Sequence, residues 1–205
     1  KYQNKEYSKI FLSNVKKVIE KENQIKNSEK ELPLSRKVAL TLFRAMRYKD
    51  EYEVARLHSS GDFAQTFLNE NKNAKLEYYL APPLFSKKDP DTGHLLKRRF
   101  GPSVYKIFKV LSYFKFLRGT KLDIFGYTLE RKKERALAQK TITTINKISE
   151  ILNDNNYKKI IEFLDIPLSI KGYGHVKEKN IKIAEEKWDK SFDKILNNQN
   201  LKKVS

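Results

Sequence analysis

A mainly α-helical (α+β) fold is predicted, with several helices in two layers and one small β-hairpin near residues 76–100. Several long segments place their apolar residues three or four positions apart, which is the spacing of one face of a helix. One short run, residues 75–80, is rich in aromatic residues and precedes a strong turn sequence, as expected for a hairpin arm. The 205-residue chain is 39% hydrophobic and 12% aromatic, so it contains enough apolar material for a core.

Three regions are expected along the chain. Residues 1–31 are predicted to form a helix and a polar linker that continue from a preceding region. Residues 32–197 are predicted to form a single α-rich domain, and residues 198–205 a frayed tail. Ser35 is expected to cap the helix that follows the linker. Long helices are predicted at about 34–58, 103–117, 128–152 and 176–197.

The predicted helix at 103–117 begins at Gly101-Pro102-Ser103, where a proline suits the first helical turn. Lys106, Lys109 and Tyr113 share one of its faces by helical spacing. Another face is apolar and is predicted to pack against the core. The residues expected to be buried there are Val104, Ile107, Phe108, Leu111 and Phe114.

The hairpin is predicted from its turn sequence, Asp89-Pro90-Asp91-Thr92-Gly93. Proline presets φ, aspartate can cap the turn, and glycine accepts a positive φ. Residues 75–80 and 94–100 would be the two arms. This arrangement is expected to bring Lys88 near Lys97.

Positive charge is concentrated around this hairpin. Of the net charge of +18, residues 86–121 supply +8, because they hold ten Lys or Arg and two Asp. A hairpin would fold 87–88 back toward 97–99, giving a basic patch that suits phosphates or an acidic protein. The alternative is a solvated hairpin that pairs with acids elsewhere, such as Asp50, Glu51 and Glu53. The candidate patch residues are Lys87, Lys88, Lys97, Arg98, Arg99, Lys106 and Lys109.

The sequence offers little for catalysis. It has no cysteine, which excludes thiolate nucleophiles, cysteine zinc sites and cysteine-ligated iron–sulfur clusters within this chain. Its three histidines are far apart and lack metal-type spacing, and no dinucleotide-binding, P-loop or nucleophile-elbow motif occurs. No catalytic, cofactor-binding or metal-binding residue is therefore predicted. The glycine-flanked loop with Gly172, Gly174 and His175 is singled out because a backbone turn there can hold the histidine.

Three carboxylates, Asp50, Glu51 and Glu53, lie close together within the helix predicted at 34–58. Residues 50 and 51 of a helix point about 100° apart, and no second pair converges on them. We therefore expect a solvated helix face, or pairing with Lys49 or Arg47, instead of an acid–base pair.

A family resemblance is carried by four runs: 48–58 (YKDEYEVARLH), 78–102 (YYLAPPLFSKKDPDTGHLLKRRFGP), 117–137 (LRGTKLDIFGYTLERKKERAL) and 170–178 (IKGYGHVKE). Together they resemble the C-terminal domain of the large, fused indolepyruvate ferredoxin oxidoreductases, members of the 2-oxoacid:ferredoxin oxidoreductase superfamily. The similarity extends in unbroken order over about residues 33–190.

The resemblance implies a parent enzyme that decarboxylates a 2-oxoacid, transfers the acyl group to coenzyme A and passes electrons to ferredoxin. Its thiamine diphosphate, magnesium and iron–sulfur clusters would lie in other domains. This chain would be a non-catalytic accessory domain for scaffolding or interaction, with the other domains and acidic ferredoxin as partners.

The alternative is a stand-alone basic helical protein that binds nucleic acid, although no nucleic-acid-binding motif occurs. A cytoplasmic location is expected, because the cysteine-free composition fits a reducing compartment. No membrane partner is expected, since no run approaches the roughly 18 apolar residues of a membrane span.

Overall fold

Helices account for most of the part of the chain that the structure describes, and one two-stranded hairpin accompanies them there. The mainly α fold with a small hairpin near residues 76–100 is therefore confirmed. The structure is a computed structural model. It describes residues 2–26, 31–60, 66–67, 69–71, 76–82, 86–87, 89–90, 93, 95–172 and 174–200.

The chain forms two compact units, each built from two stretches of sequence. Lys1–Asn4 and Lys49–Lys132 form the first, called here the hairpin unit. Lys5–Tyr48 and Lys133–Ser205 form the second, called here the helical unit. The helices are α1 (Lys5–Ile25), α2 (Pro33–Met46), α3 (Glu51–Ser60), α4 (Val104–Tyr113), α5 (Leu129–Ile151), α6 (Tyr157–Phe163), α7 (Asp165–Leu168) and α8 (Gly174–Asn200).

The long helix predicted at 34–58 is wrong, because the chain forms α2 and α3 there with a break between them. Asp50 lies in the break, directly before α3. Its Oδ1 accepts the backbone N–H of Glu53 at 2.8 Å, which satisfies one of the unpaired donors of the first helical turn.

The core of the helical unit is formed by α1, α2, α5, α6 and α8. Trp188 of α8 is only 1% exposed. Its ring packs edge-on against Phe163, with centroids 6.0 Å apart, and its Nε1 donates to Thr144 Oγ1 at 3.3 Å. The fully buried aliphatic residues around it include Val18, Leu34, Val38, Leu42, Ile148, Ile160 and Leu164.

A carboxylate from α1 holds the start of α2. Glu22 is fully buried, and its two carboxylate oxygens accept the backbone N–H groups of Leu34 at 2.9 Å and Ser35 at 2.7 Å. Tyr157 donates its hydroxyl to the same carboxylate at 2.6 Å. The prediction that Ser35 caps α2 is wrong, because Ser35 lies inside the helix and Glu22 supplies the acceptor.

The core of the hairpin unit is smaller. Ala55 of α3 and Phe108 of α4 are buried together with Tyr78 of β1. The strands β1 (Tyr78–Leu80) and β2 (Arg98–Phe100) are antiparallel, with Tyr78 opposite Phe100 and Leu80 opposite Arg98. α4 is extended by a 3₁₀ turn at Phe114–Leu117.

The predicted buried face of α4 is only partly correct. Val104 and Phe108 are buried and Leu111 packs against them, whereas Ile107 is 61% exposed and Phe114 43% exposed. α4 packs against α3, and Ile107 and Phe114 lie to one side of the face formed by Val104, Phe108 and Leu111. The apolar spacing therefore extends around α4 beyond the face that the core covers.

None of the helices in the described ranges has the length and apolar character that crossing a bilayer would require.

Candidate interaction site

The basic residues of the hairpin arms are exposed. The backbone N–H of Leu96 donates to the carbonyl oxygen of Lys87 at 2.8 Å, which holds residue 87, in the segment between β1 and β2, beside residue 96. Lys87 therefore lies next to the segment that carries Lys97, and both are exposed. Lys88 lies outside the described residues, as does the predicted approach of Lys88 to Lys97.

The two arginines of β2 do not share a face. Successive side chains of a strand point to opposite sides, so Arg98 and Arg99 leave the hairpin in opposite directions. Arg99 forms an ion pair with Glu77, which raises the pKa of its guanidinium. The hairpin is thus basic on both sides, and the positive charge on one side is offset by Glu77.

Lys106 and Lys109 lie on the solvent side of α4. Tyr113 is on the same side and is 70% exposed, in agreement with the helical spacing. Neither lysine forms an ion pair with a residue in the described ranges. Their ammonium groups are therefore presented to solvent beside exposed apolar side chains.

The glycine-flanked loop forms the start of α8. Gly172 and Gly174 have positive φ angles of 98° and 54°, which glycine adopts readily. Asn180 donates to the carbonyl oxygen of Lys171 at 2.8 Å, tying the loop to the helix. The side chain of His175 lies outside the described part of the chain, so these contacts support a structural turn.

His58 packs against two aromatic rings of the hairpin unit that also contact each other. It stacks on Phe108 at 5.4 Å between centroids and meets Tyr78 edge-on at 5.5 Å. Burial lowers the pKa of its imidazole, and the positive charge of Lys49 lowers it further. His94 lies outside the described residues.

The prediction of a solvated carboxylate face at the start of α3 is wrong. Asp50 and Glu53 are buried, and Asp50 forms a two-bonded ion pair with Arg118. The side chains of this pair are only 4% and 2% exposed. Arg118 also donates to the carbonyl oxygen of Tyr2 at 2.8 Å and lies over the Tyr2 ring at 4.1 Å. Neither Lys49 nor Arg47 is its partner, because the fold brings in Arg118 from 68 residues away.

The loop after Arg118 is closed by a second buried carboxylate. Asp123 accepts the backbone N–H groups of Gly119 at 2.8 Å and Gly126 at 3.0 Å. It also accepts the hydroxyl of Tyr52 at 3.3 Å. Burial raises the pKa of Tyr52, and the charge of Asp123 raises it further. α3 thus holds this loop through both Asp50 and Tyr52.

The remaining acids of α3 bind arginines. Glu51 accepts from Arg131 at 3.3 and 3.5 Å, and Glu53 accepts two bonds from Arg56 at 2.8 Å each. Burial raises the pKa of Glu51, although Arg131 acts in the opposite direction. These carboxylates are therefore used to fix α3 and the segments around it.

The described ranges contain no group of three or more His, Asp or Glu side chains arranged to hold a metal ion. What the hairpin unit does present is an exposed apolar surface, which the sequence analysis did not identify. The sequence indicates this surface only through the spacing of apolar residues in α4, because they cover a wider part of the helix than a single buried face requires. The exposed large apolar and aromatic residues from 107 to 129 are Ile107, Val110, Tyr113, Phe114, Phe116, Leu122, Ile124, Tyr127 and Leu129.

The protein is therefore mainly α-helical. Its hairpin unit contains buried ionic contacts around Asp50 and Asp123, and it exposes basic and apolar side chains on the hairpin and α4. The chain belongs to the family DUF6537, described as a family of unknown function, whose model matches residues 1–190. Comparison with curated proteins and with solved structures found no match.

Proposed function

We propose that this chain is a non-catalytic accessory domain of a thiamine-diphosphate-dependent 2-oxoacid:ferredoxin oxidoreductase of the indolepyruvate type. It works in the cytoplasm by scaffolding the parent enzyme and by contacting its partners. The observation that carries the proposal is the resemblance of four runs of sequence to the C-terminal domain of such enzymes.

The positions of these runs support the proposal. The runs 48–58, 78–102 and 117–137 lie largely in the hairpin unit. They supply both partners of the Asp50–Arg118 pair, and the second run contains both β1 and β2. The resemblance therefore involves residues that pack together, which is expected if it concerns a folded unit.

The chemistry of the chain fits a supporting role. Thiamine diphosphate, magnesium and iron–sulfur clusters would be held by other domains, because this chain has no cysteine to ligate a cluster. The buried carboxylates of α3 and of Asp123 already accept bonds from arginines, a tyrosine and backbone N–H groups. The exposed side chains of the hairpin and of α4 remain for contact with partners.

An acidic ferredoxin is the proposed external partner. Exposed Lys97, Arg98, Lys106 and Lys109 carry positive charge that would attract an acidic protein over a distance. Such steering mainly raises the rate of association, and salt weakens it.

The decisive experiment removes this domain from the parent enzyme. The isolated chain is expected to show no turnover with indolepyruvate, coenzyme A and ferredoxin, even with thiamine diphosphate and magnesium added. The parent enzyme without the domain should lose subunit assembly or associate more slowly with ferredoxin. Turnover by the isolated chain would contradict the proposal, as would an upstream reading frame that lacks a thiamine-diphosphate-binding domain.

A charge-reversal pair tests the role of ferredoxin. Lys97→Glu with Arg98→Glu in the full enzyme should slow ferredoxin association more than it changes dissociation. The effect should fade as salt shortens the Debye length, which is about 10 Å at 0.1 M. Lys182→Glu with Lys187→Glu, an equal change on exposed positions of α8, is the matched control. Equal rates for the two double variants would remove the steering role.

Nucleic acid remains a second candidate because of one observation. Residues 92–122 contain eight Lys or Arg and no Asp or Glu. If this stretch binds phosphates, the affinity of the chain for random DNA should fall by orders of magnitude over about a fourfold rise in salt. Titrating the chain with DNA at two salt concentrations separates this candidate from the first.

A further inference from the structure

The solvent side of α4 carries an apolar stripe. Ile107, Val110 and Phe114 are 61%, 59% and 43% exposed, and their spacing of three and four residues aligns them along the helix. Phe116 continues the stripe, since its ring centroid lies 6.1 Å from that of Phe114 and it is 68% exposed. The α4 face is defined here as Lys106, Ile107, Lys109, Val110, Tyr113, Phe114 and Phe116.

The α4 face is held by well-packed structure behind it. Phe108, on the opposite side of the helix, is buried and meets Tyr78 edge-on at 5.2 Å between centroids. The 3₁₀ turn that carries Phe116 runs directly into Arg118, which the buried pair with Asp50 fixes in place. The exposed apolar side chains therefore stand on a fixed scaffold, which lowers the entropy cost of binding.

The charged residues of α4 and of the segments directly before and after it all have one sign. Lys106 and Lys109 lie along one side of the stripe on α4, and no acidic residue occurs between positions 92 and 122. The next acid, Asp123, is buried and bonded to backbone N–H groups. A partner on this face would meet an apolar, aromatic centre and a basic edge.

We propose that the α4 face docks a protein whose own surface has an apolar centre and an acidic rim. Aromatic residues such as Tyr and Phe are enriched at the buried centre of protein interfaces, and charged residues are found at the rim. This inference goes beyond charge steering by ferredoxin, because it rests on the apolar stripe and holds whatever the parent protein is.

Two other occupants fit the face less well. A symmetric contact with a second copy would bring two lysine-bearing edges into one interface, with no acidic residue of the face to pair with them, which is unfavourable. Anionic membranes recruit clusters of about 4–8 basic residues, whereas this face offers two lysines on a ten-residue helix. The charge pattern therefore favours an acidic protein surface.

The test uses the full chain and three labelled helical peptides of about five turns. The first has leucines on one face flanked by glutamates, the second has the same leucines flanked by lysines, and the third has the glutamates but alanines instead of leucines. Fluorescence anisotropy should show binding of the first peptide and at least about tenfold weaker binding of the other two.

Surface variants locate the binding. Ile107→Ser with Val110→Ser should weaken binding of the first peptide by about tenfold or more, and Lys106→Gln with Lys109→Gln should weaken it and reduce its salt dependence. Leu12→Ser with Ile183→Ser, at exposed positions of the helical unit, is the matched control and should change nothing. All changed positions are exposed, so the far-ultraviolet circular dichroism of the variants should equal that of the original chain.

Four outcomes would overturn the proposal. One is absence of peptide binding, and another is equal binding of the lysine-flanked peptide. A third is binding of phosphatidylserine vesicles that the Ile107→Ser, Val110→Ser variant loses, which would assign the face to lipid. The fourth is a concentration-dependent dimer in sedimentation velocity that the same variant abolishes, which would assign it to a second copy.

Discussion

The guanidinium of Arg118 donates two hydrogen bonds to the carboxylate of Asp50, and both side chains are almost completely removed from solvent. Asp50 at the same time caps α3 through the backbone N–H of Glu53. Arg118 precedes the loop that Asp123 closes. This one pair therefore couples the start of α3 to the loop after α4, although the residues are 68 positions apart in sequence.

Replacing Arg118 with methionine should destabilise the hairpin unit strongly. The variant keeps much of the side-chain volume but leaves the buried carboxylate of Asp50 without its cation. Breaking a buried pair in this way costs about 3–5 kcal/mol in the free energy of unfolding. Hydrogen exchange of the α3 and α4 amides measures this loss within the hairpin unit.

The control is Arg99→Met in the same unit, because Arg99 is exposed and its ion pair with Glu77 is solvated. Its amide protection should stay close to that of the original chain. If the two variants showed equal protection, the Asp50–Arg118 pair would have no special role in stability.

Local features of the fold could be predicted from sequence because they depend on neighbouring residues. The hairpin was predicted from the turn residues around Gly93, and β1 and β2 do pair. Gly93 has a φ of 69°, the positive value that the turn was expected to require. The helices followed from apolar spacing. The break between α2 and α3 was missed, because helix propensity continues through a segment that Asp50 interrupts by capping.

The candidate site was less predictable because it depends on distant contacts. Nothing near Asp50 in the sequence indicates Arg118 as its partner. Apolar spacing shows which residues of α4 are hydrophobic, but not how much of the helix the small core covers. Ile107 was therefore expected to be buried, whereas it forms part of the exposed stripe.

Glu22→Gln should destabilise the helical unit. Both carboxylate oxygens of Glu22 accept backbone N–H groups at the start of α2. A glutamine has one acceptor oxygen, so its amide group would face a backbone donor and leave that donor unsatisfied. The free energy of unfolding should fall by roughly 1–3 kcal/mol.

The fluorescence of Trp188 in the core of the same unit follows this unfolding in a denaturant titration. Glu20→Gln is the matched control, because Glu20 is exposed and pairs with Lys16 at 3.8 Å. A midpoint for Glu22→Gln that equals the control midpoint would contradict the role given to Glu22.

The stability of the hairpin unit should fall in mild acid because of His58. Burial lowers the pKa of His58 in the folded state, and Lys49 lowers it further, so the folded state binds a proton less readily than the unfolded state. The contribution of the neutral imidazole is complete above the unfolded pKa of about 6.5 and is lost as the pH falls below it.

His58→Phe removes the titrating group and keeps an aromatic ring in contact with Tyr78 and Phe108. Because burial raises the pKa of Glu51, that carboxyl favours the folded state as the pH falls, and its effect has the opposite sign. The quantity to compare is therefore the difference in amide protection between the original chain and the variant from about pH 7.5 to 5.5. A difference that does not change with pH would show that His58 does not couple protonation to stability.

Gly93→Ala should destabilise the hairpin through backbone strain alone. Gly93 has a φ of 69°, and a Cβ added there would meet no atom within 4 Å, so crowding plays no part. A residue with a side chain pays about 1 kcal/mol to hold such a backbone conformation.

Gly101 is the matched control in the same unit: an added Cβ would also meet nothing within 4 Å, and its φ lies outside the positive range. Gly101→Ala should be neutral or slightly stabilising, because it restricts the unfolded chain. Equal amide protection of β2 in both alanine variants would show that the turn does not depend on the positive φ of Gly93.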